Sequence, residues 1–337
     1  MKILYNLLLL FNVSVLINMS FLSTALAKTT MSFYTSNQNP LITVYGLPPI
    51  ETAEFPSIGK TFISISSSLT NSSILSENNN EYLLLDGENF TTTFKLRWGF
   101  RDKIYAGIDI PYTKLSGGYA DGFIRRWHDV LHIPNKKRRL AYSADYKFKY
   151  IYQKNGRVII DNNQSQQGLG DIRLSSGIKL RQIPSKNQLL TLRLGIELPT
   201  GDSSKLLGSD SSDIHVYLSG QHRFFSNASL IVYGGLGGLY STPGEILKKE
   251  KKDYVGFASL GVSWLLYSQF SIKLQSDMHT AFYKSDLKHL SEPSNQVSIG
   301  CQIVFNKSYS MDFAVVENIS YDSIPDLTLY GTLTGYY

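Results

Sequence analysis

The stretch from Gly168 to Asp202 constrains the fold most, because apolar and polar residues alternate strictly along two segments of it. One face of these segments is aliphatic and carries Ile172, Leu174, Ile178, Leu180, Leu190, Leu192, Leu194, Ile196 and Leu198. The other face carries Asp171, Arg173, Lys179, Arg181, Thr191, Arg193 and Glu197. A period of two predicts β-strands, and strands of about ten residues with charges on one face only are typical of transmembrane β-barrels. A turn centred near Ser185 would place Arg173 opposite Glu197.

The same alternation recurs along the chain from Ile63 to the C-terminal tyrosines. It predicts an all-β, antiparallel transmembrane barrel of about 14 strands, or 12 if the short segment at Val158 merges with a neighbour or a weak edge segment is dropped. Short turns are predicted near Arg101, Asn155, Ser185, Asn227, Ser268 and Lys307, and longer loops between them. An even strand count places the short turns and both termini on the periplasmic side. A soluble β-sandwich is the alternative, but its strands average only about five or six residues.

The N-terminal region divides into two further parts. Residues 1–27 have a basic start, an apolar stretch and Ala25-Leu26-Ala27, which predict a signal peptide cleaved after Ala27. Residues 28–56 contain four prolines, which forbid a central strand, so a periplasmic or plug-like segment is expected there. Residues 57–337 then form the barrel. The single Cys301 excludes an internal disulfide, and the whole pattern predicts the outer membrane of a Gram-negative bacterium.

The net charge of +6 is concentrated in two basic clusters, at 136–139 and 248–252, both in predicted loops. Outer-membrane lipid and the phosphates of lipopolysaccharide are the partners that such loops would meet, and solvated loop tips without a partner are an equal alternative. An exported protein seldom meets DNA, so no nucleic-acid partner is expected.

Inward-facing polar residues are the candidate functional residues. Besides the face of Gly168–Asp202, the candidates for lining the pore are Lys95, Arg97, Asp109, Lys273, Asp277 and His279. Charges of both signs can line a water path through the barrel or fill it as a salt-bridged network. The solute path is favoured, because a barrel of this size has room for one.

The large loop from Ser116 to Tyr142 is the candidate lid or constriction. Asp121 could cap a short helix there that carries Phe123, Trp127, His128 and Asp129. His128 and His132 could share a helix face, but the spacing indicates no third metal ligand. No nucleophile signature accompanies the other histidines, so neither an enzyme nor a cofactor or metal is predicted.

Several separated motifs resemble one family. They are SNQNPL at 36–41, LDGE at 85–88, GGYADGFIRRWHD at 117–129, GLGD at 168–171, LPTGD at 198–202 and KLLGSDSSDIHVYLSG at 205–220. Together they resemble an uncharacterised proteobacterial family, domain of unknown function 3187, and GLGD with LPTGD is also similar to outer-membrane barrels of phenol-degradation pathways. The resemblance implies an outer-membrane barrel and supplies no catalytic residues. The ending Tyr336-Tyr337 resembles the signal read by the barrel assembly machinery, which is therefore an expected partner.

Three functions compete on this basis. The first is a channel or transporter for small solutes, hydrophobic or aromatic ones among them. The second is a closed structural or surface barrel that binds lipopolysaccharide. The third and least favoured is a membrane-embedded lipid hydrolase.

Overall fold

A computed structural model describes residues 30–117, 148–183, 187–225, 229–319 and 327–337. The chain is an all-β antiparallel barrel that closes with 12 strands and carries three extra strands. The barrel strands are β1 (Thr61–Glu77), β2 (Glu81–Arg101), β3 (Ile104–Ser116), β7 (Ile172–Ile183), β8 (Gln188–Leu198), β9 (Asp213–Phe224), β10 (Leu230–Ser241), β11 (Tyr254–Tyr267), β12 (Phe270–His279), β13 (Ser294–Val304), β14 (Tyr309–Asn318) and β15 (Leu327–Tyr336). The extra strands are β4 (Lys149–Lys154), β5 (Arg157–Asn162) and β6 (Gln166–Leu169).

The barrel closes where the first strand meets the last. β1 pairs with β15 in one continuous register from Phe62↔Tyr336 to Asn71↔Leu327, and Thr61 and Tyr337 exchange two backbone hydrogen bonds of 2.9 Å. All other barrel strands pair with their neighbours in sequence, apart from the excursion of β4, β5 and β6 between β3 and β7. The closed count is therefore 12, the smaller of the two counts that the sequence allows, because the Val158 segment and the strand before it both lie outside the barrel, as β5 and β4.

Alternation separates the two faces of the barrel wall as the sequence predicts. On β8, Thr191, Arg193 and Glu197 are at most 4% exposed, whereas Leu192 and Leu194 are 38% and 55% exposed. Other strands expose aliphatic and aromatic side chains on the same outer face, including Ile65, Phe94, Trp98, Leu236, Trp264 and Ile299. The barrel thus has an apolar outside and a polar inside, which suits a lipid environment.

The long loops lie at one end of the barrel and most of the short turns at the other, although the three-residue connection 78–80 between β1 and β2 lies at the end with the long loops. We call one end of the barrel the turn end, because the start of β1, the end of β15 and five strand connections lie there. The five are the connections β2–β3, β7–β8, β9–β10, β11–β12 and β13–β14. The predicted position of the Asn155 turn is wrong. β2 is 21 residues long and, together with β1, extends past β3. Its first six residues pair with β4, and the Asn155 amide donates to Asn80 O at the opposite end, the loop end.

Residues 30–58, which we call the internal segment, enter the barrel as a loop with two arms. The first arm (30–38) runs toward the loop end, the tip (39–46) contains the short helix α1 (Pro40–Thr43), and the second arm (47–58) returns to β1. At the tip, the Gly46 amide donates to Asp213 Oδ2 at 2.7 Å, and at the turn end Ile58 bridges to Gly99. The segment therefore spans most of the interior.

Three sequence predictions fall outside the described residues: the signal peptide with its cleavage site, the helix of the large loop, and the basic cluster at 136–139. A second short helix, α2 (Lys288–Ser291), lies in the loop after β12. No helix within the described ranges is both long and apolar enough to cross a membrane.

Candidate functional site: the occupied lumen

Wall charges of opposite sign pair directly inside the barrel. Arg173 Nη2 donates to Glu197 Oε2 at 2.8 Å across the β7–β8 pair, in the register that the alternation predicts. Arg97 Nη1 donates to Asp109 Oδ1 at 2.5 Å, and Asp109 Oδ2 also accepts from the Tyr34 hydroxyl of the internal segment at 2.7 Å. Arg173 and Arg97 thus each have a carboxylate partner on the wall itself.

Two carboxylates of the internal segment also form ion pairs with arginines of the wall. Glu51 Oε1 accepts from Arg97 Nη2 at 2.5 Å, and Glu51 Oε2 accepts from Arg193 Nη1 at 2.9 Å. Glu54 pairs with Arg223 and accepts from Gln221 Nε2 at 2.9 Å. The second arm therefore attaches to β2, β8 and β9 through charge-assisted bonds, which are about twice as strong as neutral ones.

The first arm attaches to β12 by a regular series of polar contacts. The Phe33 amide donates to Gln275 Oε1 at 2.9 Å, and Thr35 Oγ1 donates to Asp277 Oδ2 at 2.7 Å. Asn37 Nδ2 lies 2.9 Å from His279 Nε2, while the other ring nitrogen lies 2.8 Å from Thr280 O. Every second residue of the arm contacts every second residue of β12, so the arm runs beside the strand like an additional, side-chain-bonded strand.

Aromatic rings of the internal segment cover three wall lysines. The Nζ atoms of Lys95, Lys179 and Lys273 lie 3.6, 4.3 and 4.1 Å from the ring centroids of Tyr34, Phe55 and Phe33. Lys273 also forms a buried ion pair with Asp312 and donates to Met31 O at 2.8 Å. Cation–π contacts of this kind contribute about 2 kcal/mol when desolvated.

The loop end is closed by an apolar core that includes the tip. Leu41, Ile42 and Tyr45 pack with residues of β4 and of the loops after β8, β10 and β12. Hydrogen bonds fix the tip in this core, since Tyr45 donates to Ile246 O at 2.6 Å and Tyr283 donates to Leu41 O. The docking of the tip is mainly apolar, and Leu47 and Ile50 at the start of the second arm join the same core.

Asp171 organises the loop after β8 beside this core. Its carboxylate accepts from the amides of Gly201 at 2.7 Å and Ser209 at 3.0 Å. Burial raises the pKa of Asp171, although the amides of Gly201 and Ser209 act in the opposite direction.

The space left in the lumen is small. A cavity of about 110 Å³ lies between the internal segment and the wall, and its lining includes Tyr34, Ser66, Asp109, Asp171, Arg173 and Glu197. Such a volume holds several water molecules, whereas drug-sized ligands occupy pockets of about 300–1,000 Å³. The internal segment therefore occupies the space that a solute would need.

The structure brings most of the predicted pore residues to this interior. Lys95, Arg97, Asp109, Asp171, Arg173, Lys179, Arg193, Glu197, Lys273, Asp277 and His279 all contact the internal segment or line the lumen. Arg181 is not among them: a bulge at Leu180 shifts the register, so Arg181 is exposed and pairs with the outward Leu190. Asp121, Phe123, Trp127, His128 and Asp129 lie outside the described residues.

Sequence reasoning missed the residues of the internal segment that complete the site. Glu51 and Glu54 are the only charged residues between 30 and 59, and this isolation was an available signal. Asp312 and Arg223 were missed because their strands were assigned from their apolar faces. In the described ranges, no group of three or more His, Cys, Asp or Glu side chains is placed to hold a metal ion.

Comparisons with known proteins agree with the fold. The model of a family described as "Protein of unknown function (DUF3187)" matches residues 8–335, and no curated protein matches. The COG4313 outer-membrane channel from Pseudomonas putida F1 superposes with a TM-score of 0.57 at 11% identity, over 85% of this chain and 98% of that one. This likeness shows the barrel fold.

Two further solved barrels are more distant. The NanC porin has a TM-score of 0.46 at 7% identity, over 82% of this chain and 99% of that one. The toluene transporter TodX of P. putida has a TM-score of 0.40 at 9% identity, over 93% of this chain and 95% of that one.

Proposed function

This chain belongs to the DUF3187 family, and we propose that it is an outer-membrane channel for small solutes whose closed state is the conformation described above. The observation that carries the proposal is that a polar lumen is filled by a separate segment rather than by side chains of the wall. Both arms of that segment are held largely by hydrogen bonds, ion pairs and cation–π contacts to polar wall residues, which water and dissolved ions can replace. A segment attached in this way can move without unfolding the barrel.

The orientation follows from the loops and the termini. The turn end faces the periplasm and the loop end faces outward, which is the usual arrangement in such barrels. Cleavage after Ala27 would leave a free N-terminus two residues before Thr30. Thr30 lies against the second arm, because Thr52 Oγ1 donates to Thr30 O at 3.2 Å. The first arm would then be joined to the rest of the chain only through the tip, and it would need no hinge to leave the wall.

The experiment is a conductance measurement on full-length protein in planar bilayers. Replacing both Glu51 and Glu54 by Gln removes the ion pairs of the second arm, and we expect openings to become more frequent than in wild type. Asp202→Asn is the matched control, because its ion pair with Lys205 is solvent-exposed and lies in the loop after β8. Equal, negligible conductance in all three proteins would contradict the proposal.

A disulfide lock tests whether the first arm is the moving part. Thr35 Oγ1 and Ser298 Oγ are 3.4 Å apart, so cysteines at these two positions, with Cys301→Ser, should join the arm to β13. We expect the oxidised protein to conduct less than the reduced one. Identical conductance in the two redox states would assign the movement elsewhere.

A permanently closed barrel that binds lipopolysaccharide is the second candidate, and the apolar docking of the tip favours it. Only part of the basic cluster at 248–252 is available to bind lipopolysaccharide. Lys248 and Lys249 are exposed, but Lys251 is buried and donates to Ser241 O at 2.9 Å. Lys248→Glu with Lys249→Glu should then reduce lipopolysaccharide retention. An unchanged lipid complement would eliminate this candidate.

A further inference from the structure

Arg193 depends on the internal segment for its counter-ion. Its side chain is 1% exposed, and the wall offers it two hydroxyl groups: Tyr105 OH at 2.8 Å and Ser219 Oγ at 3.4 Å. Its ion-pair partner among the described residues is Glu51. Since an isolated buried guanidinium is very unfavourable, the lumen needs another anion at this position whenever the second arm leaves.

Arg97 gives the same position a second cation. Its guanidinium holds Asp109 with two nitrogens, at 2.5 and 3.1 Å, and still donates to Glu51 Oε1 through Nε at 3.1 Å and Nη2 at 2.5 Å. The Glu51 carboxylate is thus held between two guanidinium groups, the planar donors best suited to a carboxylate.

An aromatic contact lies next to the position of the Glu51 carboxylate, which we call the carboxylate place. The Phe55 ring packs on Tyr105 with centroids 4.9 Å apart, and the Arg193 guanidinium lies 5.1 Å from the centroid of the same Tyr105 ring. Tyr105 therefore borders both the group that binds the carboxylate and the ring of the second arm. If the second arm leaves, the wall presents an arginine pair beside an uncovered aromatic face.

From this arrangement we propose that the wall residues Arg97, Arg193 and Tyr105 form a binding site for an aromatic carboxylate, and that Glu51 and Phe55 are its built-in occupants. A neutral aromatic solute would leave Arg193 without a counter-ion, and a cation would meet two guanidinium groups, so both are disfavoured. The proposal rests on the proposed channel function in one respect: solute binding would displace the second arm and open the path.

The test measures binding of sodium benzoate to full-length protein in detergent by its effect on the melting temperature. Glu51→Ala vacates the carboxylate place, and we expect benzoate to raise the melting temperature of this variant in a dose-dependent manner. Wild type should need at least about tenfold more benzoate, because tethered Glu51 competes at an effective concentration on the order of millimolar. At equal ionic strength, acetate should act more weakly and benzyl alcohol should have no effect.

Arg193→Gln in the Glu51→Ala background is the matched control, since it removes the guanidinium together with its counter-ion. We expect this double variant to lose the benzoate response. A retained response, or equal responses in wild type and Glu51→Ala, would overturn the proposal. If Glu51→Ala does not fold, Glu51→Gln removes the competing charge while keeping the size of the side chain, and its benzoate response should still exceed that of wild type.

Binding and conduction fail separately in this design. A barrel that never conducts but binds benzoate through Arg193 would keep the site and lose the channel. Conduction in the opening variants without any benzoate response would keep the channel and lose the site.

Discussion

Leu41 offers a direct measure of how firmly the tip holds the internal segment inside the barrel. The residue is fully buried in the apolar core of the loop end, together with Phe282, Tyr283 and Leu290. It lies outside the hydrogen-bonded strands, so its truncation removes packing from the docked segment and leaves every strand pairing intact. Leu41→Ala should therefore weaken docking rather than the barrel.

The expected size follows from the chemistry of large-to-small substitutions. A buried Leu→Ala change costs about 2–5 kcal/mol, depending on how far the cavity collapses. Because 1.4 kcal/mol corresponds to a factor of ten, the equilibrium for undocking should rise by roughly 30-fold to several thousand-fold.

Hydrogen–deuterium exchange read by mass spectrometry gives the assay, with peptides from 30–58 compared against peptides from β8 to β12. We expect exchange to accelerate in the internal segment alone. Leu236→Ala is the control, because Leu236 is 68% exposed on the outer face. Unchanged exchange in 30–58, or equal acceleration in the strands, would refute the reasoning.

Three further predictions concern the arms and the loop end. Gly99→Ala should displace the end of the second arm, because a Cβ would lie 2.2 Å from Ser57 O, whereas Gly238→Ala meets open space and should be neutral; exchange of peptide 47–60 distinguishes them. Asp312→Asn should destabilise the barrel by about 3–5 kcal/mol in urea unfolding by leaving buried Lys273 unpaired, and adding Lys273→Met should recover most of the loss. Burial raises the pKa of Asp171, so the protonated side chain stabilises the folded state below the ordinary aspartate pKa, and this stabilisation is lost as the pH rises through the raised pKa. Over that pH range, the melting temperature of Asp171→Asn should therefore rise relative to that of wild type.

Alternation predicted those features that depend on one strand and its neighbour. It assigned the inward and outward faces, and with a turn centre it gave the pairing of Arg173 with Glu197. The Asn155-Gly156 turn was also recognisable, and both residues have the positive φ angles of such a turn. The end of the barrel at which this turn lies was not predictable, because the extension of β1 and β2 past β3 leaves no mark in a period-two pattern.

Features that depend on a single extra residue or on distant contacts could not be predicted. The bulge at Leu180 turns Arg181 away from the lumen, and an alternating sequence pattern does not indicate at which residue such a register shift occurs. The internal segment has no period at all, so its prolines exclude a strand without indicating which wall residues it meets. Only Glu51 and Glu54, isolated in an uncharged stretch, marked it as a partner of the inward arginines.

The internal segment also sets an order for assembly. The internal segment precedes all the strands in sequence, yet the Phe33 amide donates to Gln275 on β12, 242 residues later. The segment leads directly into β1, and β1 closes the barrel by pairing with β15, so the seam that closes the barrel adjoins the segment that fills it. Contacts this distant in sequence form slowly. A barrel that closed this seam first would hold an interior of charges without the partners that the segment supplies. We therefore expect the internal segment to dock before, or together with, the pairing of β1 and β15.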